Sequence, residues 1–230
     1  MIEVNSLNED EKFALLYGIM LGDGCLSKYK PKRANIRFNI VVTCGEADRE
    51  FFIQVVIPLF KSFTSKNVHI KERPKYHAIE ISFCDELLFD KIASFGFSVG
   101  KKQDIILHNN LKKNIKFIIA GLLATDGCLT LVNNNGTLYP RIFFTAALPS
   151  ILKEVFIYLN SIGIKAGFYS TKRKDFSCFG YLRTKPTYVC SSNGLANLDR
   201  FAEKIGFAHL KHEEIYINYK NTRKNGCTKN

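Results

Sequence analysis

Apolar residues follow two different spacings along this chain, and the change of spacing marks the predicted elements. Residues 13–21 form an almost unbroken apolar run that ends in Gly-Asp-Gly at 22–24, which predicts a buried helix followed by a turn. The sequence Ser-Leu-Asn-Glu at 6–9 precedes the run and predicts a capping box at its start. Residues 35–43 instead alternate apolar and polar positions, as in a half-buried strand.

The remaining segments of the first hundred residues extend this pattern. Residues 25–30 pair with 35–43 as a predicted hairpin. Residues 46–63 are predicted to form a helix that Pro58 bends or ends early. A second hairpin over 68–83 and a helix over 85–95 follow.

The same order of elements then recurs. A helix over 111–125, strands over 128–132 and 139–145, a helix over 149–162, strands over 165–172 and 181–191, and a helix over 195–205 are predicted. The segments 95–101 and 205–211 are also similar in sequence. A period of ~100 residues is too long for a solenoid and indicates a duplicated domain. The halves are predicted as 1–103 and 115–230, joined by a linker over 104–114, and the tail from Asn218 is expected to fray.

The net charge of the chain indicates which class of ligand it binds. The 230 residues carry a net charge of +12, and all of this excess falls in residues 101–230, because residues 1–100 hold equal numbers of acidic and basic side chains. A concentration of positive charge is typical of proteins that bind nucleic acid. A solvated basic surface without a partner remains an alternative.

Several classes of protein are excluded by composition. The longest apolar run, residues 13–21, is far shorter than the roughly 20 residues of a membrane-spanning helix. The acidic amino terminus has neither a secretory nor an organellar targeting pattern. The seven cysteines include no C-x-x-C pair, which indicates reduced thiols in an intracellular compartment. His209 and His212 lack the partners of a structural metal site.

The two most apolar helices end alike, in LYGIMLGDG at 16–24 and in IAGLLATDG at 119–127. Each has small residues four positions apart, which lie on one face and allow two helix backbones to approach closely. If the helices pack together, Asp23 and Asp126 come side by side at the negative ends of the helix dipoles. Two such carboxylates repel unless a hard cation such as Mg²⁺ lies between them. The alternative is that both aspartates simply precede a turn glycine.

These two segments resemble the paired signature motifs of the LAGLIDADG homing endonucleases. The order of elements after each motif is similar to the family's fold over roughly residues 7–215. The resemblance implies an α+β fold of two pseudo-twofold αββαββα halves. Their antiparallel sheets form a saddle over the DNA major groove, with the motif helices at the interface between the halves.

The resemblance also implies the activity, which is a metal-dependent double-strand break at a specific site in a long asymmetric DNA target, by a monomer encoded in an intron. Asp23 and Asp126 would bind the metal ions with the backbone carbonyls of Gly22 and Thr125. Mg²⁺ is the expected ion, Mn²⁺ a substitute, and Ca²⁺ an ion that binds without supporting cleavage.

Two further pairs of positions follow from the same resemblance. Lys101 and Lys211 occupy the place after the last helix of each half where a lysine polarises solvent or the phosphate. Cys44 and Ala146 stand where many members carry a polar residue, often Gln, so this chain departs from the family at the position that orders water.

Strand alternation selects the candidate DNA contacts. Residues that point away from the predicted core are suited to base edges, and lysines near the strand ends are suited to phosphates. The predicted contacts are Ser27, Lys28, Tyr29, Lys30, Asn35, Arg37, Asn39, His69, Lys71, Arg73, Thr130, Tyr139, Arg141, Lys172, Lys174, Arg183 and Lys185. Because these residues differ between the halves, the target is expected to be asymmetric.

Three other functions stay open. The same fold serves intron RNA maturases, which help an intron to splice with or without DNA cleavage, and a DNA-binding regulator could use the same scaffold. An intein is disfavoured, although the chain could be an excised endonuclease domain. The expected location is intracellular, either an organellar matrix or stroma or a prokaryotic cytoplasm.

Overall fold

The computed structural model describes residues 1–32, 35–134, 137–147, 149–171 and 186–226. The elements of the first half are α1 (Glu9–Asp23), β1 (Gly24–Tyr29), β2 (Arg37–Gly45), α2 (Arg49–Phe51), a π-helical turn (Phe52–Val56), α3 (Ile57–Lys61), β3 (Ile70–Arg73), β4 (Ala78–Cys84) and α4 (Glu86–Ser94). Those that follow are α5 (Asn109–Lys112), α6 (Ile115–Ala124), β5 (Gly127–Asn134), β6 (Thr137–Ala146), α7 (Pro149–Ser161), β7 (Ala166–Thr171), β8 (Thr187–Asn193), α8 (Leu195–Lys204) and α9 (Leu210–Gly226).

The described strands form two four-stranded antiparallel sheets with the same topology, β1-β2-β4-β3 and β5-β6-β8-β7. Their registers also correspond. Gly24 lies opposite Val42 in the first sheet, and Gly127 lies opposite Phe144 in the second. The predicted α+β fold, built from a repeated order of elements, is therefore confirmed.

The chain forms two compact units that differ from the sequence repeat. The first is Glu3–Thr125, and the second consists of the described residues after Thr125 together with Met1 and Ile2. Helix α6 belongs to the first unit because it packs against α1. The halves 1–103 and 115–230 and the linker 104–114 stay a prediction from the repeat. Within 104–114, Ile105 and Leu107 are buried.

Helices α1 and α6 touch backbone to backbone at two glycines. A Cβ on Gly18 would collide with the carbonyl of Ile118, and a Cβ on Gly121 would lie 2.5 Å from the Leu15 carbonyl oxygen. The two contacts are equivalent, because Gly121 and Ile118 each follow their counterparts Gly18 and Leu15 by 103 positions. One pseudo-twofold contact is thus made twice, and the predicted close approach of the two helices is confirmed.

The start of α1 differs from the expected capping box at 6–9. Asn8 is the N-cap, its side chain accepts from the Glu11 amide at 3.0 Å, and the Glu11 carboxylate accepts from the Asn8 amide at 3.1 Å. Ser6 instead belongs to a short 3₁₀ turn. Both registers satisfy the motif, and the realised one starts the helix two residues later.

Pro58 perturbs the helix over 49–61 as expected, but by widening it rather than by ending it. The π-helical turn Phe52–Val56 directly precedes α3, in which Pro58 occupies the first turn. Proline has no amide hydrogen to donate to the carbonyl four residues earlier, and a π turn accommodates that missing hydrogen bond.

The described part of the tail predicted to fray, residues 218–226, is helical. Helix α9 runs from Leu210 to Gly226. Tyr219 is only 6% exposed, and its hydroxyl donates to the Leu138 carbonyl at 3.0 Å. Tyr216 donates to the Asp199 carboxylate at 2.9 Å. Two tyrosines at helical spacing therefore dock a segment that is otherwise polar.

None of the helices in the described ranges combines the length and the apolar character that a membrane crossing requires.

Substitution of either crossing glycine tests this packing. We expect Gly18→Ala and Gly121→Ala each to lower the free energy of unfolding by at least about 2 kcal/mol, because the added methyl group meets backbone atoms that cannot move aside. Gly45→Ala is the matched control, since a Cβ there has no atom within 4 Å. Urea denaturation monitored by circular dichroism measures all three. Equal stability of the three variants would contradict the backbone contact.

The described cysteines differ in reactivity. Among the cysteines in the described ranges, Cys84 is exposed and Cys190 is buried. Burial raises the pKa of Cys190 to about 12, so its reactive thiolate is scarce at pH 8. We expect iodoacetamide to modify the exposed Cys84 and to spare Cys190 until the protein is unfolded, as followed by peptide mass spectrometry. Modification of both at the same rate in the folded protein would refute this assignment.

Candidate functional site

Asp23 lies at a corner between a helix and a strand. It is the last residue of α1 and half-buried, and β1 starts at the next residue, Gly24. Gly24 is extended, with φ −87° and ψ 155°, so the helix passes directly into the strand without the turn that Gly-Asp-Gly predicted. Glycine is required there for space, because a Cβ would lie 2.5 Å from the Met20 Cα atom and 2.6 Å from its carbonyl oxygen.

A lysine that sequence analysis missed binds the end of this helix. The Lys102 ammonium donates to the Leu21 carbonyl at 2.8 Å and also to the Gly22 carbonyl. A positive charge at a helix carboxyl terminus stabilises the helix dipole. The carbonyl of Gly22, one of the predicted metal ligands, therefore already attracts a cationic group.

The segment that carries Lys102 is held against β1. The Gly100 amide donates to the Leu26 carbonyl at 2.7 Å, and Val99 forms an isolated parallel bridge with Leu26. Lys101, which the repeat alignment selected, is exposed, and its catalytic role stays a prediction. The alignment could not separate two adjacent lysines, because only the path of 98–102 past β1 decides which one reaches the helix end.

The second motif ends differently. Helix α6 stops at Ala124, and the Thr125 hydroxyl donates to the carbonyls of Gly121 and Leu122 at 3.1 and 3.2 Å. Asp126 is exposed and directly precedes β5. The proposed metal-binding role of the Thr125 carbonyl stays a prediction.

Lys211 lies near the start of β5. Burial raises the pKa of Cys128, and the positive charge of Lys211 opposes that rise. Since Cys128 is the second residue of β5, this influence places the Lys211 charge close to the strand that follows the second motif. Lys211 itself is exposed at the start of α9.

The residues present are suited to Mg²⁺ rather than to a closed metal cage. Among the described residues, no three His, Cys, Asp or Glu side chains are grouped closely enough to hold an ion. Mg²⁺ commonly binds one or two carboxylates and completes its shell with water and substrate phosphates. A half-buried carboxylate at Asp23 beside the cation-attracting carbonyl of Gly22 fits that chemistry.

The two positions that depart from the family's polar pattern are half-buried. Cys44 lies in β2, and its thiol contacts the Gly45 carbonyl at 3.4 Å. Ala146 is the last residue of β6. Both lie on the same side of their sheets as buried strand residues, whereas their neighbours Thr43 and Thr145 point to the opposite face.

The outward face of the first sheet carries most of its predicted DNA contacts. The register pairs Ser27 with Asn39 and Tyr29 with Arg37, on the face opposite buried Leu26, Ile40 and Val42. Lys71 and Arg73 of β3 lie on the same face. Strand alternation therefore placed all six side chains on the correct side.

Three of these side chains are held by neighbours. Arg73 makes two hydrogen bonds to the Glu80 carboxylate, at 2.8 and 3.1 Å. Lys71 donates to the Ser82 carbonyl at 2.8 Å, and the Ser82 hydroxyl donates to the Asn39 amide oxygen at 3.3 Å. The contacts restrict the orientation of these groups before any ligand arrives.

Four other predicted contacts lie elsewhere in the first unit. Lys28 pairs with Phe38 on the opposite face, with its ammonium 4.7 Å from the Phe38 ring centroid. Lys30, Asn35 and His69 are exposed just outside the strands. A contact from these four to the phosphates or bases is a prediction.

In the second sheet, Thr130 lies opposite Arg141, and Tyr139 is two residues away on the same outward face. The Arg141 Nε atom donates to the Asn193 amide oxygen at 2.9 Å. Asn193 and Tyr169 share this face and were missed, although alternation along their strands could have found them. The predicted contacts Lys172, Lys174, Arg183 and Lys185 lie outside the described residues.

Part of the chain is similar to a known family of domains. Residues 114–206 match the model of the LAGLIDADG-like domain. Over 215 residues the chain is 27% identical to an uncharacterized protein of Methanocaldococcus jannaschii, and over 218 residues it is 25% identical to the reverse gyrase of that organism. These matches cover 92% and 94% of this chain but only 23% and 11% of the two relatives.

Solved structures share the fold over most of the chain. The homing endonuclease I-DmoI, in complex with DNA and calcium, is similar with a TM-score of 0.61 and 19% identity, over 86% of this chain and 91% of that chain. I-LtrWI, a LAGLIDADG homing endonuclease bound to its target DNA, has a TM-score of 0.63 and 11% identity, over 96% and 92%. Other I-DmoI complexes with DNA contain manganese or were studied with magnesium.

The hydrogen bonds of Lys102 generate a prediction about stability. We expect Lys102→Met to lower the free energy of unfolding by about 1–2 kcal/mol, because two helix carbonyls lose a charged donor. Lys101→Met, at the exposed neighbour, should change it by less than about 0.5 kcal/mol. Urea denaturation compares the two variants, and a larger loss for Lys101→Met would reverse the assignment.

Proposed function

We propose that this chain, whose fold is that of the LAGLIDADG homing endonucleases and whose residues 114–206 are a LAGLIDADG-like domain, is a site-specific endonuclease that breaks both strands of a DNA target. One observation carries this proposal. Two helices packed through equivalent glycines each lead into an aspartate and then directly into the first strand of a sheet. The aspartate-bearing ends therefore have the same place in both repeats.

The proposed ligands are oxygen atoms at these two helix ends. Asp23 and the Gly22 carbonyl would hold one divalent ion, and Asp126 and the Thr125 carbonyl another. Mg²⁺ is the proposed ion, consistent with the hard oxygen donors. A bound ion polarises water for attack and stabilises charge on the leaving 3′-oxygen.

The surrounding lysines have a separate role. Lys102 at the first motif and Lys211 at the second, with Lys101 beside the former, place positive charge where a phosphate would lie. Such charge attracts the DNA backbone and compensates the carboxylates while they are close to phosphate oxygens. The protein thus supplies both a negative ligand for metal and a positive support for phosphate.

The outward sheet faces provide the proposed binding surface. Arg37, Asn39 and Arg141 are residue types that recognise guanine and adenine in the major groove, and all three lie on outward faces. Since each half carries its own sheet and its own aspartate, one chain suffices to contact and cleave both strands. We therefore propose a monomer that acts inside the cell on double-stranded DNA.

We further propose that the chain is encoded by a mobile intron. In its two relatives of Methanocaldococcus jannaschii the matched region is instead a small part of a longer protein, which favours an in-frame insertion as the alternative origin. The DNA that flanks the reading frame therefore defines both the insertion type and the target, because joining the two flanks recreates the uninterrupted site.

Cleavage of that joined site tests the proposal. A supercoiled plasmid carrying it should be converted to linear DNA by the protein with Mg²⁺ and should stay intact with EDTA. Asp23→Asn and Asp126→Asn should each reduce linearisation at least 100-fold, because an amide replaces the charged metal ligand. Nicked plasmid should accumulate if each acid serves one strand. Asp90→Asn, at an exposed carboxylate of α4, is the matched control.

The outcomes separate the competing functions. Binding of the joined site without cleavage, together with splicing of the host intron RNA, would favour a maturase. Metal-dependent cleavage that persists in both aspartate variants would contradict the assigned site.

A further inference from the structure

The outward faces of the two sheets differ in their chemistry. Along the first sheet the register places Arg37, Lys71, Arg73 and Glu80 on the outward face. Along the described strands of the second sheet, the same parity gives one charged side chain, Arg141. The outward face of the first sheet therefore carries more charged side chains than the described outward face of the second.

Apolar side chains lie on both sides of Arg141 along the second sheet. Val132 lies opposite Tyr139 in one row, and the two side chains are 38% and 49% exposed. In the other direction Val189 lies between Thr145 and Tyr169, and Tyr169 is 50% exposed. Exposed apolar side chains that lie next to one another on one face mark an interaction surface.

The single charged group between these rows is oriented by a neighbour. Asn193 accepts the Arg141 Nε hydrogen at 2.9 Å. An arginine held through Nε is suited to a bidentate contact with guanine through its terminal nitrogens.

We propose that the second sheet recognises its DNA half-site mainly through thymine methyl groups, with Arg141 contacting one guanine between them. This inference rests on the proposed function, because it assumes that the outward faces meet the DNA major groove. There the C5-methyl group of thymine is the apolar feature that separates thymine from the other bases, and aliphatic and aromatic side chains contact it favourably. The row of Val132 and Tyr139 and the row of Tyr169, Val189 and Thr145 match that feature.

The first sheet has the more polar outward face, on which Tyr29 is an exposed aromatic side chain. Its arginines, lysine and asparagine are suited to the donor and acceptor atoms of guanine and adenine. The target should therefore be chemically asymmetric, with methyl contacts concentrated in the half that faces the second sheet.

Replacement of thymine by uracil removes the methyl group and leaves base pairing intact. The binding site is first selected from randomised duplexes in Ca²⁺. The selection is repeated with Arg37→Met, and the half of the site in which this variant loses a base preference is the half that faces the first sheet. Thymines of each half are then replaced by uracil, and dissociation constants are measured by fluorescence anisotropy. Each methyl lost in the second half should weaken binding about fourfold, since burial of one such group contributes ~0.8 kcal/mol.

A protein variant supplies the matched control. Val132→Ser removes an apolar partner without adding charge. This variant should therefore bind duplexes with thymine or uracil equally well at the one position that Val132 contacts. In the first half, uracil should change affinity by less than about twofold. If uracil weakens binding equally in both halves, or only in the first half, the inference is wrong. Binding to the selected duplex would still support the proposed function in that case. Failure to bind any duplex would overturn both.

Discussion

The structure depends on the contact between two helix backbones at Gly18 and Gly121. A side chain at either position would meet main-chain atoms of the other helix, so the close approach is available only to glycine. Because the same contact is made twice with a shift of 103 residues, α1 and α6 are related by pseudo-twofold symmetry within one compact unit. In symmetric homodimers a contact of this type joins two subunits, whereas here one chain supplies both sides.

This packing has a direct electrostatic consequence. The negative end of a helix dipole is an unfavourable place for a carboxylate, and both motif helices lead into one. At the first helix, the Lys102 ammonium on the Leu21 and Gly22 carbonyls offsets part of that cost. The arrangement is costly for folding alone but suited to binding a hard cation. A metal ion on the Asp23 carboxylate and the Gly22 carbonyl would share this local negative potential with Lys102.

Sequence patterns predicted the parts of the fold that depend on local periodicity. Alternation placed Ser27, Asn39 and Arg141 on outward faces because one buried face fixes strand register. The duplicated order of elements was evident for the same reason. The sequence could not decide between neighbouring registers, because both registers satisfy the same local rules. The capping box is at Asn8 rather than at Ser6. Sequence alone also could not show that Lys102 reaches the helix end, while the catalytic role of Lys101 stays a prediction.

Longer-range packing also could not be predicted. Helix α9 was missed because its sequence is polar, yet Tyr219 docks it through a carbonyl 81 residues away. The boundaries of the compact units depend in the same way on the packing of α6 against α1 rather than on the repeat. The proposed catalytic positions came from the resemblance of two short motifs, and periodicity alone could not have suggested them.

The central claim is that Asp23 and Asp126 are the metal ligands of a DNA-cleaving site. The most direct measurement is a crystal structure of the protein with its DNA target and Mn²⁺, with ions located by anomalous scattering. The account predicts peaks about 2.1–2.3 Å from carboxylate oxygens of both residues, next to phosphate oxygens of the DNA. Manganese bound only at other side chains, with both aspartates away from the phosphates of a bound target, would contradict it.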